Sequence, residues 1–285
     1  MNKILVAGAT GNTGSEILKQ LLEKGVQFKA MSRDKSKFKN IAGINRVEGN
    51  FADISSLVLA FKDVENIYVA MPAHPDNEVW INNIISASKK AGVLHIVKLS
   101  GMGVSPDAGS EIIRVHAKTD DMLMQSGLVY TLLRSNSFYQ NIFASIPTIK
   151  NQSSIYSPLS DSKLSLIDIR DVAAVAVKAL TENGHNNKIY NLTGPETLSY
   201  YDIAKKIGSA IGKDITYYPI SKEQAKLSML KAGVSEWRAD KLSEILEWFG
   251  KGGFEAISPD VESVLNRSAY RFDEFFNDYK IKFNI

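Results

Sequence analysis

The runs KILVA (3–7), FKAMS (28–32), NRVEG (45–49), NIYVA (66–70), HIVKLS (95–100) and VYTLLR (129–134) are short and rich in β-branched or aromatic residues. Each predicts a strand. Stretches with helical spacing lie between them. The first sets Ile17, Leu18, Leu21 and Leu22 on one stripe and meets Gly25, which can close a helix in a left-handed conformation. Asp53 or Ser55 is placed to cap a short helix through Leu57 and Phe61, and Asp76 or Asn77 a longer one carrying Val79, Ile81, Ile84 and Ile85. Strand and helix in strict alternation predict β-α-β units that feed a parallel sheet.

After Arg134 the rhythm breaks in a stretch rich in Pro, Asn and Ser, residues 145–162. LSLIDIRDVAAVAVKALTE (164–182) then reads as a strand entry and an apolar helix, and KIYNLTG (188–194) as another strand. The remainder is mostly helical, including LSYYDIAKKIGSAIG (198–212), a segment around Trp237 to Phe249, and AYRFDEFFNDY (269–279). The expected architecture is α/β, a doubly wound parallel Rossmann sheet formed by 1–135 and 166–193. A smaller, mostly helical C-terminal cap domain is expected from 136–165 and 194–285.

Composition narrows the class. At 285 residues, with 44% hydrophobic and 23% charged side chains, the chain can bury a large core. Its 34 basic and 31 acidic residues give a net charge of +3, spread along the chain, so no nucleic-acid partner is expected. The chain has no cysteine, which excludes disulfides, zinc thiolates and thiol catalysis and suits a cytoplasmic location. No run has the apolar length of a membrane span, and neither a membrane partner nor a metal site is expected.

Gly8, Gly11 and Gly14 directly follow the first strand and open the first helix. Glycine at such a spacing permits a tight turn and close approach of a pyrophosphate, while the helix N-terminus offers free N–H groups and the positive end of its dipole. Thr10, Asn12 and Thr13 complete the loop. At the end of the second strand, MSRDKSKFK (31–39) brings Arg33, with Lys37 four residues on, where a cation would meet the 2′-phosphate of NADP(H). Asp34 either accepts from a ribose, which would favour NAD(H), or caps the next turn; NADP(H) is the expected cofactor. Lys35 and Lys39 read as a solvated face. Asn50 and Phe51 in GNFAD (49–53) are candidates to flank an adenine, and Met71 and Pro72 in AMPA (70–73) would let backbone lie against the ribose.

The blocks GATGNTG (8–14), MSRD (31–34), HAKTDDMLMQSGLVYTLLRSNSFYQN (116–141), LIDIRDVAAVAVKAL (166–180) and NLTGPETLSYYDIAKKIG (191–208) resemble, in order, those of the NmrA-like branch of the atypical short-chain dehydrogenases/reductases. The resemblance covers nearly the whole chain. It implies a two-domain NADP-binding protein with its cleft between the C-terminal edge of the sheet and the cap. The branch includes bacterial NADPH-dependent quinone reductases, triphenylmethane-dye reductases and redox sensors without turnover.

The usual short-chain dehydrogenase relay is a tyrosine with a lysine four residues later on the helix after strand five, and a serine ending that strand. Ser100 is in place, but the helix offers His116 and Asp120 at that spacing. His116 is then a candidate acid or cofactor anchor, or a structural histidine held by Asp120 or by backbone. Two other Tyr-x-x-x-Lys matches, Tyr201 to Lys205 and Tyr218 to Lys222, read as chance. Asn136, Phe138, Tyr139 and Asn141 at the exit of strand six are candidates for an acceptor pocket. The expected function is an NADPH-dependent reductase of a quinone or similar conjugated small molecule. The alternative is an NADP-binding redox sensor, and a sugar-nucleotide epimerase ranks last for want of a strong base. A homodimer or a regulatory protein partner is compatible with either of the first two.

Overall fold

The computed structural model describes residues 3–38 and 43–283, with only the backbone of Lys35 and Lys37. Lys39 lies outside the described residues. The chain opens with β1 (Ile4–Ala7), α1 (Asn12–Glu23), β2 (Phe28–Ser32), β3 (Asn45–Glu48), α2 (Ile54–Phe61), β4 (Asn66–Val69) and α3 (Asn77–Ala91). It continues through β5 (His95–Gly101), α4 (Glu111–Met124), β6 (Val129–Ser135), α5 (Ile146–Gln152), β7 (Ser154–Ser157), α6 (Ile169–Thr181) and β8 (Lys188–Leu192). The last elements are α7 (Tyr200–Ile211), β9 (Thr216–Pro219), α8 (Lys222–Lys231), α9 (Glu236–Gly250), α10 (Asp260–Leu265) and α11 (Phe272–Tyr279). Among the described residues no helix is long and apolar enough to cross a membrane.

Two compact units result. The first comprises Met1–Pro106, Val115–Ser135 and Ile169–Asn191, and the second Asp107–Arg114, Asn136–Asp168 and Leu192–Ile285.

In the first unit the sheet order is β3-β2-β1-β4-β5-β6-β8, and each neighbouring pair from β3 to β6 runs parallel. The order reverses between β1 and β4, and a ligand crevice in a doubly wound sheet lies at such a reversal, beyond the carboxyl ends of the strands. Leu5, Ala7, Ile67, Val69 and Ile96 point to one face and meet Leu57, Phe61, Ile81, Ile84 and Leu123 of α2, α3 and α4. The other face receives α1 and α6, which pack against each other. There the buried Tyr68 hydroxyl donates to Thr13 Oγ1 of α1 at 2.8 Å. α1 ends at Glu23, with Gly25 at φ +66° just beyond it, and Asp53 caps α2 by accepting from Ser55 N. Every strand read from the apolar runs of the first half forms where expected.

The second unit buries Ile142, Ile149, Ile155, Leu164, Leu198, Ile203, Ile207 and the phenylalanines 249, 254, 272, 275, 276 and 283 in one cluster. It is mostly helical, and it also holds β7 and β9, paired in parallel with Ser154 opposite Thr216. Residues 145–162, expected to be irregular, therefore contain a helix and a strand. The short apolar triad Ile149, Ile155 and Leu159 is buried once β9 and the phenylalanines lie against it, a condition the local sequence does not announce. The sequence rhythm also assigns 107–114 to the sheet domain, whereas this segment packs in the second unit. Gly109 lies so close to Trp248 that a Cβ there would stand 2.3 Å from the indole, and Glu111 N donates to Glu244 Oε1 of α9 at 2.6 Å.

Candidate cofactor and active site

Gly8 adopts φ +85°, and a Cβ on it would stand 2.4 Å from the Ala70 carbonyl oxygen. Gly14 is tighter, since its Cβ would come within 2.2 Å of Gly8 O and 2.9 Å of Ala9 Cα. The loop closes with Gly11 N donating to Gly8 O at 3.0 Å, and Gly11 N-caps α1 without any side-chain hydrogen bond. The first amides of α1, from Asn12, Thr13 and Gly14, therefore have no intrahelical acceptor. Thr10, Gly11 and Asn12 are exposed. Thr13 is buried, with its hydroxyl engaged by Tyr68, so its amide is the part that remains for a ligand. A cradle of backbone N–H groups with no room for a Cβ fits a pyrophosphate.

At the end of β2 two neighbouring side chains diverge. Asp34 accepts from Ser36 N and from Ser36 Oγ, each at 2.8 Å, and so caps the 3-10 turn Lys35–Phe38. Arg33 is exposed, and no described residue pairs with its guanidinium. Lys37 sits on the same turn, but its side chain lies outside the described residues. Asn50 Oδ1 accepts from Ala52 N at 3.1 Å, which shapes the loop after β3. The half-buried Phe51 ring lies 5.9 Å from Trp80 of α3, which stacks on His74 at 4.3 Å. Asn83 of α3 donates to Phe51 O at 3.0 Å and ties that loop to the helix. Met71 is half-exposed and Pro72 exposed, both just past β4.

Deeper along the sheet edge stands a charged cluster. Asp120 of α4 is wholly buried and takes Lys98 Nζ on Oδ1 at 2.8 Å, with Ser100 Oγ at 2.9 Å and Arg134 Nε at 3.2 Å on Oδ2. Lys98 and Ser100 are two apart on β5 and so share one face, and Ser100 pairs in register with Arg134 on β6. Lys98 is 1% exposed, and its ammonium is buried against that carboxylate. The Ser100 hydroxyl proton is committed to Asp120.

His116 lies one helical turn before Asp120 and is half-buried. Among the described residues nothing hydrogen-bonds its ring. Burial first, and then the positive charge of Lys98, push its pKa down to about 4, against the opposing pull of Asp120. The imidazole is therefore neutral at neutral pH. Lys118, two residues on, is turned to solvent and to Glu78 Oε2 at 2.6 Å.

The exit of β6 departs from expectation. Asn136 is 2% exposed and fully engaged: Nδ2 donates to Ser165 Oγ and to Phe254 O, both at 2.9 Å, while Oδ1 accepts from Ser137 N at 2.7 Å. Tyr139 is 1% exposed, edge-on to Phe272 at 5.3 Å and beside Phe275 at 5.4 Å. Both are interior residues of the second unit and not pocket walls. Packing decides this, since Asn136 satisfies three loops and Tyr139 completes the phenylalanine core. Phe138 is half-exposed and Asn141 exposed, its amide on Ser137 Oγ at 2.9 Å. The sequence reading missed Lys98 and Arg134. The available signal was a lysine inside an apolar strand, which requires a buried counter-charge.

The family model described as NAD(P)H-binding matches residues 8–183. The chain belongs to this NAD(P)H-binding family. Its fold and sequence blocks also match individual oxidoreductases. An NAD(P)H azoreductase of Xenophilus azovorans is 35% identical over 274 residues, covering 95% of this chain and 96% of its own. The NADPH-dependent quinone oxidoreductase of Escherichia coli, solved with NADPH, superposes at a TM-score of 0.87 with 26% identity over 97% of this chain and 99% of that one. The triphenylmethane reductase of a Citrobacter species, complexed with NADP(H), gives 0.85 with 26% identity over 96% and 99%. This NAD(P)H-binding protein is accordingly an oxidoreductase with the doubly wound sheet expected from its sequence.

Proposed function

We propose that the protein is an NADPH-dependent reductase that delivers hydride to a quinone or a similarly conjugated small molecule. The observation that carries the reading is the backbone cradle at Gly8, Gly11 and Gly14, next to an Arg33 that no described residue pairs with. On this reading the amides of Asn12, Thr13 and Gly14 hold the pyrophosphate, with Thr10 at its rim. Arg33, joined by Lys37, meets the 2′-phosphate, and the capping of the 3-10 turn by Asp34 removes the competing carboxylate. Asn50 and Phe51 flank the adenine, while Met71 and Pro72 lie along the ribose. When bound, the dihydronicotinamide supplies the hydride. His116, with both ring nitrogens free of described partners, orients the cofactor amide or the acceptor, and Ser100 holds Asp120 in place. Phe138 and Asn141 remain as candidate acceptor contacts.

A conjugated acceptor suits this residue set, because the anion left by hydride transfer is delocalised and takes its proton from water, so no tyrosine and lysine relay is needed. The same absence of a relay favours a second reading, an NADP-binding sensor without turnover, for which a regulatory protein or a second copy of the chain would be the readout. A cytoplasmic location is expected in either case. Titration with NADPH and NADH, followed by NADPH oxidation over a panel of quinones, azo dyes and simple ketones, separates the two. Turnover on conjugated acceptors alone supports the reductase. Tight NADPH binding with no oxidation by any acceptor would sink it in favour of the sensor.

A further inference from the structure

His116 and Asp120 are four residues apart on α4 and so lie on one helix face, where a histidine and an aspartate ordinarily bond and charge each other. Here they do not. Both carboxylate oxygens of Asp120 are occupied, Oδ1 by the Lys98 ammonium and Oδ2 by the Ser100 hydroxyl and Arg134 Nε. The groups acting on the imidazole come from two elements, Lys98 on β5 and Asp120 on its own helix, while Arg134 on β6 acts on the same carboxylate. Of the other cations of α4, Lys118 is 60% exposed and paired with Glu78, and Arg114 donates to Ala108 O at 2.6 Å. The cluster holds two cations, Lys98 and Arg134, on one carboxylate.

We propose that Lys98 is a positioning residue that locks Asp120 away from His116, so that the imidazole serves the site as a neutral hydrogen-bonding group and not as an acid. The lock deepens the reductase reading by defining the acceptor class. With no proton source of its own, the site favours acceptors whose two-electron reduction product is stable as an anion. Hydride carries two electrons to such an acceptor, the nicotinamide is left oxidised, and the product anion takes one proton from water. A simple ketone would give a localised alkoxide, which needs a proton as it forms.

The primary test is an NMR titration of the His116 ring in the protein without cofactor, which does not depend on turnover. In the unaltered protein the ring should stay neutral until the pH falls below about 5, because burial and the Lys98 charge push its pKa down to about 4. Lys98→Met frees Asp120 to pair with His116 and should raise the midpoint by about two pH units. Lys98→Arg should leave it low, and the double variant Lys98→Met with Asp120→Asn, which also removes the carboxylate, should bring it back down. In quinone reduction, the pH profile of kcat should be flat from about pH 6 to 8 in the unaltered enzyme and gain a step in Lys98→Met. A His116 midpoint near the ordinary histidine value in the unaltered protein, or an unmoved midpoint in Lys98→Met, overturns the lock. If Lys98→Met does not fold, the titration of the unaltered protein and of Lys98→Arg decides. A low midpoint that rises as described, in a protein that binds NADPH but transfers its hydride to none of the acceptors tested, would sustain the lock and refute the reductase.

Discussion

Gly14 is the residue where one methyl group separates a working cradle from a closed one. A Cβ there would overlap the Gly8 carbonyl oxygen, which is rigid backbone and cannot step aside as a flexible side chain can. Gly14→Ala should abolish NADPH binding or lower the thermal midpoint by several degrees, as fluorescence titration and a melt of the same sample would show. Arg33 is the opposite case, exposed and without a described partner, so its removal should leave the fold intact. Arg33→Ala should weaken NADPH by roughly 10- to 100-fold, the worth of a charge-assisted pair of hydrogen bonds, while NADH changes little. Equal loss for both cofactors would mean that Arg33 does not read the 2′-phosphate. Both residues were legible in the sequence, because a glycine before a helix and a cation after the second strand have few other uses in a β-α-β unit. Asn136 and Tyr139 were not legible, since their partners Ser165, Phe254 and Phe272 are remote along the chain.

Among the elements, caps and packing partners follow different rules. Ser199 caps α7 by accepting from Asp202 N at 3.1 Å, and Asp202 Oδ2 accepts in return from Ser199 N at 2.9 Å. This reciprocal pair lies in LSYYDIAKKIG and can be read from four consecutive residues. Ser199→Ala should cost about 1 kcal/mol in urea denaturation without altering cofactor binding. α4 shows what local reading misses. Its N-terminal residue Glu111 is held in the second unit, with Lys241 Nζ at 2.8 Å and the Glu244 carboxylate on its amide, whereas Asp120 belongs to the sheet unit. Helical periodicity gives one continuous element and does not show that its ends serve two cores. β7 and β9 were missed for a related reason, because each is short and stable only as a pair whose members lie far apart in the chain.

At the scale of the molecule, buried neutral histidines couple stability to pH. The Thr131 hydroxyl donates to His185 O at 2.6 Å, so it must accept from His95 Nε2 at 2.8 Å, and protonating His95 would add a charge at a 7% exposed site. Burial, reinforced by His185, lowers the His95 pKa from 6.5 to about 4. A depressed histidine stabilises the folded state fully above its unfolded value and loses that contribution as the pH falls. The first unit should therefore lose up to about 3 kcal/mol between pH 6.5 and 4, and His95→Gln should flatten that part of a melting-temperature profile. An unchanged profile in the variant would place the acid sensitivity elsewhere.

The sequence by itself determined the strands and the doubly wound class of the sheet unit, the glycine turn before α1 and the cation after β2. These are written in periodicities and spacings a few residues long, and a right-handed β-α-β unit leaves little freedom in assembling them. Only the tertiary structure decided what surrounds His116. Lys98, Ser100, Asp120 and Arg134 come from three elements, and which of them a buried carboxylate selects depends on distance and desolvation in three dimensions.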